Sequence, residues 1–127
     1  ARLESIMAHG QHDSAEKEFR KVIPKTWDYR LIKLYAKLDT PDLATLSKRI
    51  ERWLVDRPRD ANLWLAASQL AKRDELWTQA KQFLERSIEN TETSLAYNEL
   101  GLILLELGQE GEAIKAFKKA LNLNNNQ

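Results

Sequence analysis

Apolar positions recur every three and four residues along almost the whole chain, as in Leu31, Leu34, Tyr35 and Leu38, or Leu63, Leu65, Ala66 and Leu70. That spacing keeps one face of an α-helix apolar and predicts helices throughout. No run of β-branched residues alternates with polar ones, so no strand is expected. Start signals cut the pattern into pieces: Thr26 before Trp27-Asp28, Thr40 before Pro41 at a first-turn position, and Asp60 before Ala61. Asp13-Ser14-Ala15-Glu16 has the spacing of a capping box with Asp at its head. Gly10, Gly108 and Pro58 are stop signals. About seven helices of roughly 10 to 15 residues, joined by short turns, are expected.

A string of short helices calls for a search for internal repeats. Aligning Gly10-Gln11-His12-Asp13-Ser14-Ala15 with Gly108-Gln109-Glu110-Gly111-Glu112-Ala113 places Phe19 on Phe117 and Val22 on Ala120. A step of 33 places Trp64 on Tyr97, Ala67 on Leu100, Ser68 on Gly101, Ala80 on Ala113, Leu84 on Phe117 and Ser87 on Ala120. The expected units are a partial repeat at 1–26, a degenerate repeat at 27–60, and repeats at 61–93 and 94–127. At about 34 residues each this makes about 3.5 repeats, with the missing part at the front. Residues 1–9 then form the second half of a helix, and the chain is expected to be a piece of a longer protein.

Trp64, Ala80, Tyr97, Leu100, Gly101, Ala113, Phe117 and Ala120 fall on the packing positions of a helical hairpin. This pattern resembles the tetratricopeptide repeat, which implies an all-α fold, a right-handed α–α superhelix of helical hairpins. Gly101 and Ala113 are expected where two helices cross, and Ala120 where the next hairpin lies close, because bulk there forces backbones apart. In the degenerate repeat, Trp53 stands where a small residue is expected and Lys33 where Leu is expected.

Composition removes other classes. With 20 Lys and Arg against 19 Asp and Glu, the net charge of +1 gives no bulk attraction to nucleic acid or anionic membrane. The charge is uneven, with 13 basic against 10 acidic residues in 1–60 and 7 against 9 beyond. The absence of cysteine excludes disulfides, thiolate metal sites and thiol nucleophiles. The longest uncharged apolar stretch, Leu100–Leu105, is far short of the roughly 20 residues that span a bilayer. Ala1-Arg2-Leu3-Glu4 does not open a targeting peptide. No Gly-rich phosphate loop, H-E-x-x-H or G-x-S-x-G occurs, and the carboxylates sit singly at salt-pair spacing, so no catalytic residue, metal site or enzyme activity is expected. His9 and His12 flank Gly10 and read as solvated turn residues, or alternatively as haem contacts. The four tryptophans read as packing residues rather than a porphyrin site.

Stacked hairpins of this kind offer a concave groove to partner proteins. Positions that resembling proteins turn inward give Asp28, Leu31, Tyr35, Leu38 and Asp39 in 27–60. They give Asn62, Leu65, Gln69, Lys72 and Arg73 in 61–93, and Leu95, Asn98, Leu102, Leu105 and Glu106 in 94–127. An apolar floor with Lys72-Arg73 at one edge is expected to suit an amphipathic segment. At the C-terminus Leu121 and Leu123 run into Asn124 without a polar capping helix, so an uncapped face and a weak homodimer are expected.

A narrower resemblance lies in Trp27-Asp28-Tyr29-Arg30-Leu31-Ile32-Lys33-Leu34-Tyr35, in Ile50-Glu51-Arg52-Trp53-Leu54 leading to Pro58-Arg59-Asp60, and in Leu76-Trp77-Thr78-Gln79-Ala80-Lys81 with Phe83-Leu84-Glu85-Arg86-Ser87. These stretches are similar to the C-terminal region of the HemY family, and they account for Trp53. Members usually have Leu-Gly where this chain has Ala67-Ser68, and Gly-Lys where it has Thr78-Gln79. The resemblance implies a scaffold for late haem-pathway enzymes, with its repeats at the cytoplasmic face of the bacterial inner membrane and its anchor in segments outside this chain. It implies no reaction and no resident cofactor. A generic adaptor and a direct porphyrin or haem carrier are the alternatives.

Overall fold

A computed structural model describes residues 12–125, with side chains from Ser14 onward. Among them seven helices follow one another: α1 (His12–Thr26), α2 (Tyr29–Ala36), α3 (Leu43–Asp56), α4 (Ala61–Arg73), α5 (Trp77–Asn90), α6 (Ser94–Glu106) and α7 (Glu110–Asn125). No strand occurs among the described residues. The expected half-helix at 1–9, Gly10 and His9 lie outside them, as do the side chains of His12 and Asp13. Helix α4 packs along α5 and α6 along α7, while α3 against α4 and α5 against α6 join one hairpin to the next. The result is an all-α superhelix of stacked hairpins.

Side-chain acceptors set the helix starts. Asp60 Oδ1 accepts from Asn62 N–H at 3.0 Å and from Leu63 N–H at 3.2 Å, as expected for a cap. Thr26 and Thr40 are not the caps that the sequence suggested. Thr26 closes α1, Thr40 and Pro41 lie in the connection before α3, and the caps are Asp28 and Asp42. Each threonine hydroxyl accepts the N–H of the aspartate two residues on, at 3.2 Å, and so turns that carboxylate into the capping position. Ends follow a shared device. Gln109 N–H reaches Leu104 O at 2.8 Å and Leu76 N–H reaches Ala71 O at 2.9 Å, around a left-handed residue at Gly108 (φ 75°) and at its counterpart Glu75 (φ 57°).

Side-chain volume at the helix crossings then decides how closely each hairpin closes. Gly101 is buried in α6, and a Cβ placed on it would stand 2.7 Å from Phe117 Cδ1 and nearer still to Cε1 and Cζ. The hydrogen of glycine is what lets the Phe117 ring lie across α6. In α4 and α5 the corresponding pair is Ser68 and Leu84, one size up and one size down, both buried. The first hairpin breaks the scheme. Tyr35 stands in the crossing position of α2 and Trp53 in the small position of α3, both buried, and the backbones of α2 and α3 stay apart.

The two aromatics fill the space they open. Phe19 meets Tyr35 edge-on at 6.0 Å, Tyr35 meets Trp53 at 5.3 Å, and Trp53 meets Trp27 edge-on at 5.8 Å. The Arg57 guanidinium lies 4.5 Å over the Trp27 ring. Trp27 has φ 50°, a conformation that costs a non-glycine residue about 1–2 kcal/mol. Its stacking on Trp53 and under Arg57 offsets that strain.

Gly101→Ala is expected to lower stability by about 1–3 kcal/mol, because the methyl must displace the Phe117 ring. Adding Phe117→Leu, which copies the Ser68 and Leu84 arrangement, should return part of the loss in urea unfolding. Independent, additive effects of the two changes would show that they do not share the crossing.

Candidate binding groove

The first helices of the hairpins, α2, α4 and α6, line a groove of about 420 Å³. Tyr29, Lys33 and Ala36 come from α2 and Lys37 from the cap that follows it, Asn62, Leu65, Ala66 and Gln69 from α4, and Leu95 and Glu99 from α6. These residues climb by a constant step of 33: Tyr29, Asn62, Leu95, and then Lys33, Ala66, Glu99. Leu102 occupies the place that Ala36 and Gln69 hold in the preceding repeats and is exposed, as is Leu95. Asn98, Leu105 and Glu106 are also exposed on α6.

Asn62, Leu65 and Gln69 therefore lie where the sequence placed them, whereas the expected contribution of α2 does not. Tyr35 and Leu38 are fully buried and line no groove. Leu31 is half-buried against the core, and Asp28 is the cap of α2. The first helices repeat at 33, but the second helices of the first two hairpins repeat at 34: Leu46, Ile50 and Trp53 correspond to Ala80, Leu84 and Ser87. The first hairpin is therefore one residue shorter than the second between matching positions of its two helices, and its connection 37–42 is nevertheless twice the length of 74–76 because α2 ends early. Carrying a step of 34 back through α2 shifts every inward position by one, and on a helix one residue is about 100° of rotation. Tyr29 and Ala36 were missed for that reason, since stepping back by 33 from Asn62 and Gln69 finds both. Lys33 and Lys37 correspond to Ala66 and Leu70, which are not inward positions of the repeat pattern.

Arg73, expected at the groove edge as a free cation, is committed elsewhere. Its guanidinium donates to Ala36 O and Leu38 O, both at 2.7 Å, and so satisfies the carbonyls left where α2 ends after eight residues. Lys72 reaches across to Glu99 of α6 at 3.4 Å. Behind the groove, the Tyr35 hydroxyl donates to Glu16 Oε2 at 2.7 Å, and Arg20 donates to the same carboxylate. Burial pushes the Glu16 carboxyl up, but the hydrogen bonds from Arg20 and Tyr35 outweigh it and hold the group below its usual value of 4.5. Glu16 thus ties α1 to α2, and the Asp13 side chain of the expected capping box lies outside the described side chains.

The remaining packing residues have defined places. Trp64 is half-buried, donates Nε1–H to Pro58 O at 2.8 Å and stacks near Phe83 at 5.9 Å. Tyr97 is buried and its hydroxyl donates to Glu92 at 2.7 Å. Ala80, Ala113 and Ala120 are buried, and Leu100 and Phe117 fill the space between α6 and α7. Trp77 packs with Leu84 and Ile103. Among the described residues no cluster of acidic and imidazole side chains could hold a metal, and no helix is long and apolar enough to cross a membrane.

This geometry defines a helical-repeat protein whose repeats present a continuous concave surface. Residues 94–127 match the family model of the tetratricopeptide repeat. The whole described chain is similar in fold to solved structures of such proteins. It aligns with MamA at a TM-score of 0.72 and 18% identity, covering 97% of this chain and 74% of that one. With MamA from Desulfovibrio magneticus RS-1 the TM-score is 0.75 at 15% identity, over 98% and 73% of the two chains. With YrrB, described as a TPR protein with an unusual peptide-binding site, it is 0.67 at 22% identity, over 86% and 58%. No curated protein sequence matches the chain.

Tyr35→Phe is expected to cost about 1–3 kcal/mol at neutral pH, since it removes a buried donor from a charged acceptor. A carboxyl held below its unfolded value stabilises above that value and loses the effect as pH falls through the folded one. The gap between wild type and Tyr35→Phe should therefore narrow in acid. A gap that stays constant in denaturation curves from neutral to acid pH would remove Glu16 from the account.

Proposed function

We propose that this chain is a protein-interaction module whose groove docks a segment of a partner, and that it is not an enzyme. A preformed concave surface carries this reading: Leu95 and Leu102 expose apolar area on α6 at the repeat step of 33 from Asn62 and Gln69, beside the half-buried Leu65 of α4. Exposed apolar side chains aligned on one face mark docking surfaces more than isolated ones do. The peptide-binding site ascribed to YrrB, a protein of similar fold, points the same way. On the residues that resemble the HemY family, we further propose that the partners are enzymes of late haem synthesis. Trp27, Tyr35, Ile50, Trp53 and Leu54 of those stretches meet in one core cluster, which supports treating them as a single structural signature. That finer reading also puts the repeats at the cytoplasmic face of the inner membrane.

The exposed face of α7 suggests a second contact. Leu121 is 60% exposed, although its counterpart Ile23 is buried by the hairpin that follows it. A second copy covering Leu121 would give a weak homodimer, and sedimentation that stays monomeric as concentration rises would exclude it.

The docking reading predicts that purified late haem-pathway enzymes are captured by the wild-type chain and much less by a Leu65→Asp, Leu102→Asp double variant. Equal capture by both would overturn the groove as the site. Capture of unrelated proteins alone, still sensitive to the double variant, would leave a generic adaptor and remove the haem pathway.

A further inference from the structure

The groove's charge is not spread evenly, and the uneven part has no structural task. Lys33 and Lys37 lie four residues apart at the exposed end of α2, both on the groove, and neither has an ion-pair or hydrogen-bonding side-chain partner among the described residues. Like charges at that spacing destabilise a helix. Cations near a helix C-terminus ordinarily answer the carbonyls there. Here that role is taken: Arg73 already holds Ala36 O and Leu38 O at 2.7 Å. The acid lining the groove, Glu99, is likewise occupied, by Lys72 at 3.4 Å. With Glu99 paired to Lys72 from outside the lining, the uncommitted charges on the groove are Lys33 and Lys37, both positive. Leu65 and Leu95 give the groove apolar lining, and Leu102, about two turns beyond Leu95 on α6, is exposed.

We propose that the groove selects an acidic peptide segment of a partner protein, its carboxylates on Lys33 and Lys37 and its apolar side chains on Leu65, Leu95 and Leu102. This rests on the docking reading above and adds the chemistry of the occupant. A polyanion such as nucleic acid would answer the lysines but leave the leucines unmatched, and a purely apolar helix would bury two unpaired cations at a cost. From α2 to α6 there are two steps of roughly 10 Å between neighbouring helices, which about 13 residues of a bound helix would span. Electrostatic pairing at an exposed rim sets partner choice and on-rate and weakens as salt rises.

A random 16-residue peptide library displayed on phage and selected on the full chain tests this. The selected sequences should carry net negative charge, with acids segregated from Leu, Ile or Phe. A labelled synthetic winner, read by fluorescence anisotropy, should lose about tenfold in affinity on Lys33→Glu, Lys37→Glu, the scale expected for two exposed charge pairs. A version of the same peptide with its acids changed to Lys should recover binding to that variant. Both lysines are exposed, so the variant should keep the wild-type circular dichroism spectrum. Selected peptides without acidic enrichment, or equal binding to wild type and variant, would overturn the charge preference. If Leu65→Asp, Leu102→Asp still abolishes their binding, the docking reading survives that outcome. Tighter binding of a 20-nucleotide single strand than of any selected peptide would overturn the peptide assignment, and enrichment of nothing would overturn both readings.

Discussion

Everything in this fold depends on how much side chain stands where two helices cross. In the last hairpin that place holds only a hydrogen, and Phe117 lies over Gly101 with no room for a methyl. In the middle hairpin Ser68 and Leu84 divide the same space differently. Close packing makes such volume trades obligatory, because neither a void nor an overlap is tolerated cheaply. The first hairpin makes the opposite trade. Tyr35 and Trp53 are large, so α2 and α3 stand apart and the aromatics fill the gap between them.

That trade has consequences at the surface. Helix α2 stops after eight residues, and Leu38 turns down into the core instead of continuing the helix. Two carbonyls are left open, and Arg73 from the next hairpin closes them. A residue that an unbroken helix would leave facing the groove is thereby spent on structure, and the lysines of α2 remain as the groove's uncommitted charge. The Tyr35 hydroxyl, carried into the interior by the same exchange, is met by Glu16, which fastens α1 to the stack. Packing, helix length and groove chemistry are thus steps of one chain of cause.

The sequence disclosed the class of fold well because hairpin stacking leaves local marks. Three- and four-residue periodicity, the Asp60 cap and Gly108 each act within a turn or two, and each is legible without knowing the partner helix. The groove was legible only where the repeat stayed in phase. Asn62, Leu65 and Gln69 lie on it, but one residue fewer between α2 and α3 turned Tyr35 and Leu38 from expected groove residues into core. Only the geometry reveals that missing residue, since Trp53 in α3 keeps its repeat position at a step of 34 while α2 keeps 33. Arg73 was unreadable for a different reason: its acceptors are backbone carbonyls more than thirty residues away, and no side-chain pattern announces them.

The register of α2 decides both the packing and the proposed recognition, and two native side chains report on it. Tyr29 is 57% exposed on the groove and Tyr35 is fully buried. Hydroxyl-radical footprinting of the unmodified protein, read by mass spectrometry, should oxidise Tyr29 rapidly and leave Tyr35 protected until the chain unfolds. Oxidation of Tyr35 at the rate of Tyr29 or faster under native conditions would put Tyr35 back on the surface, and with it would fall the opened first hairpin, the Glu16 tie and the placing of Lys33 and Lys37 on the groove.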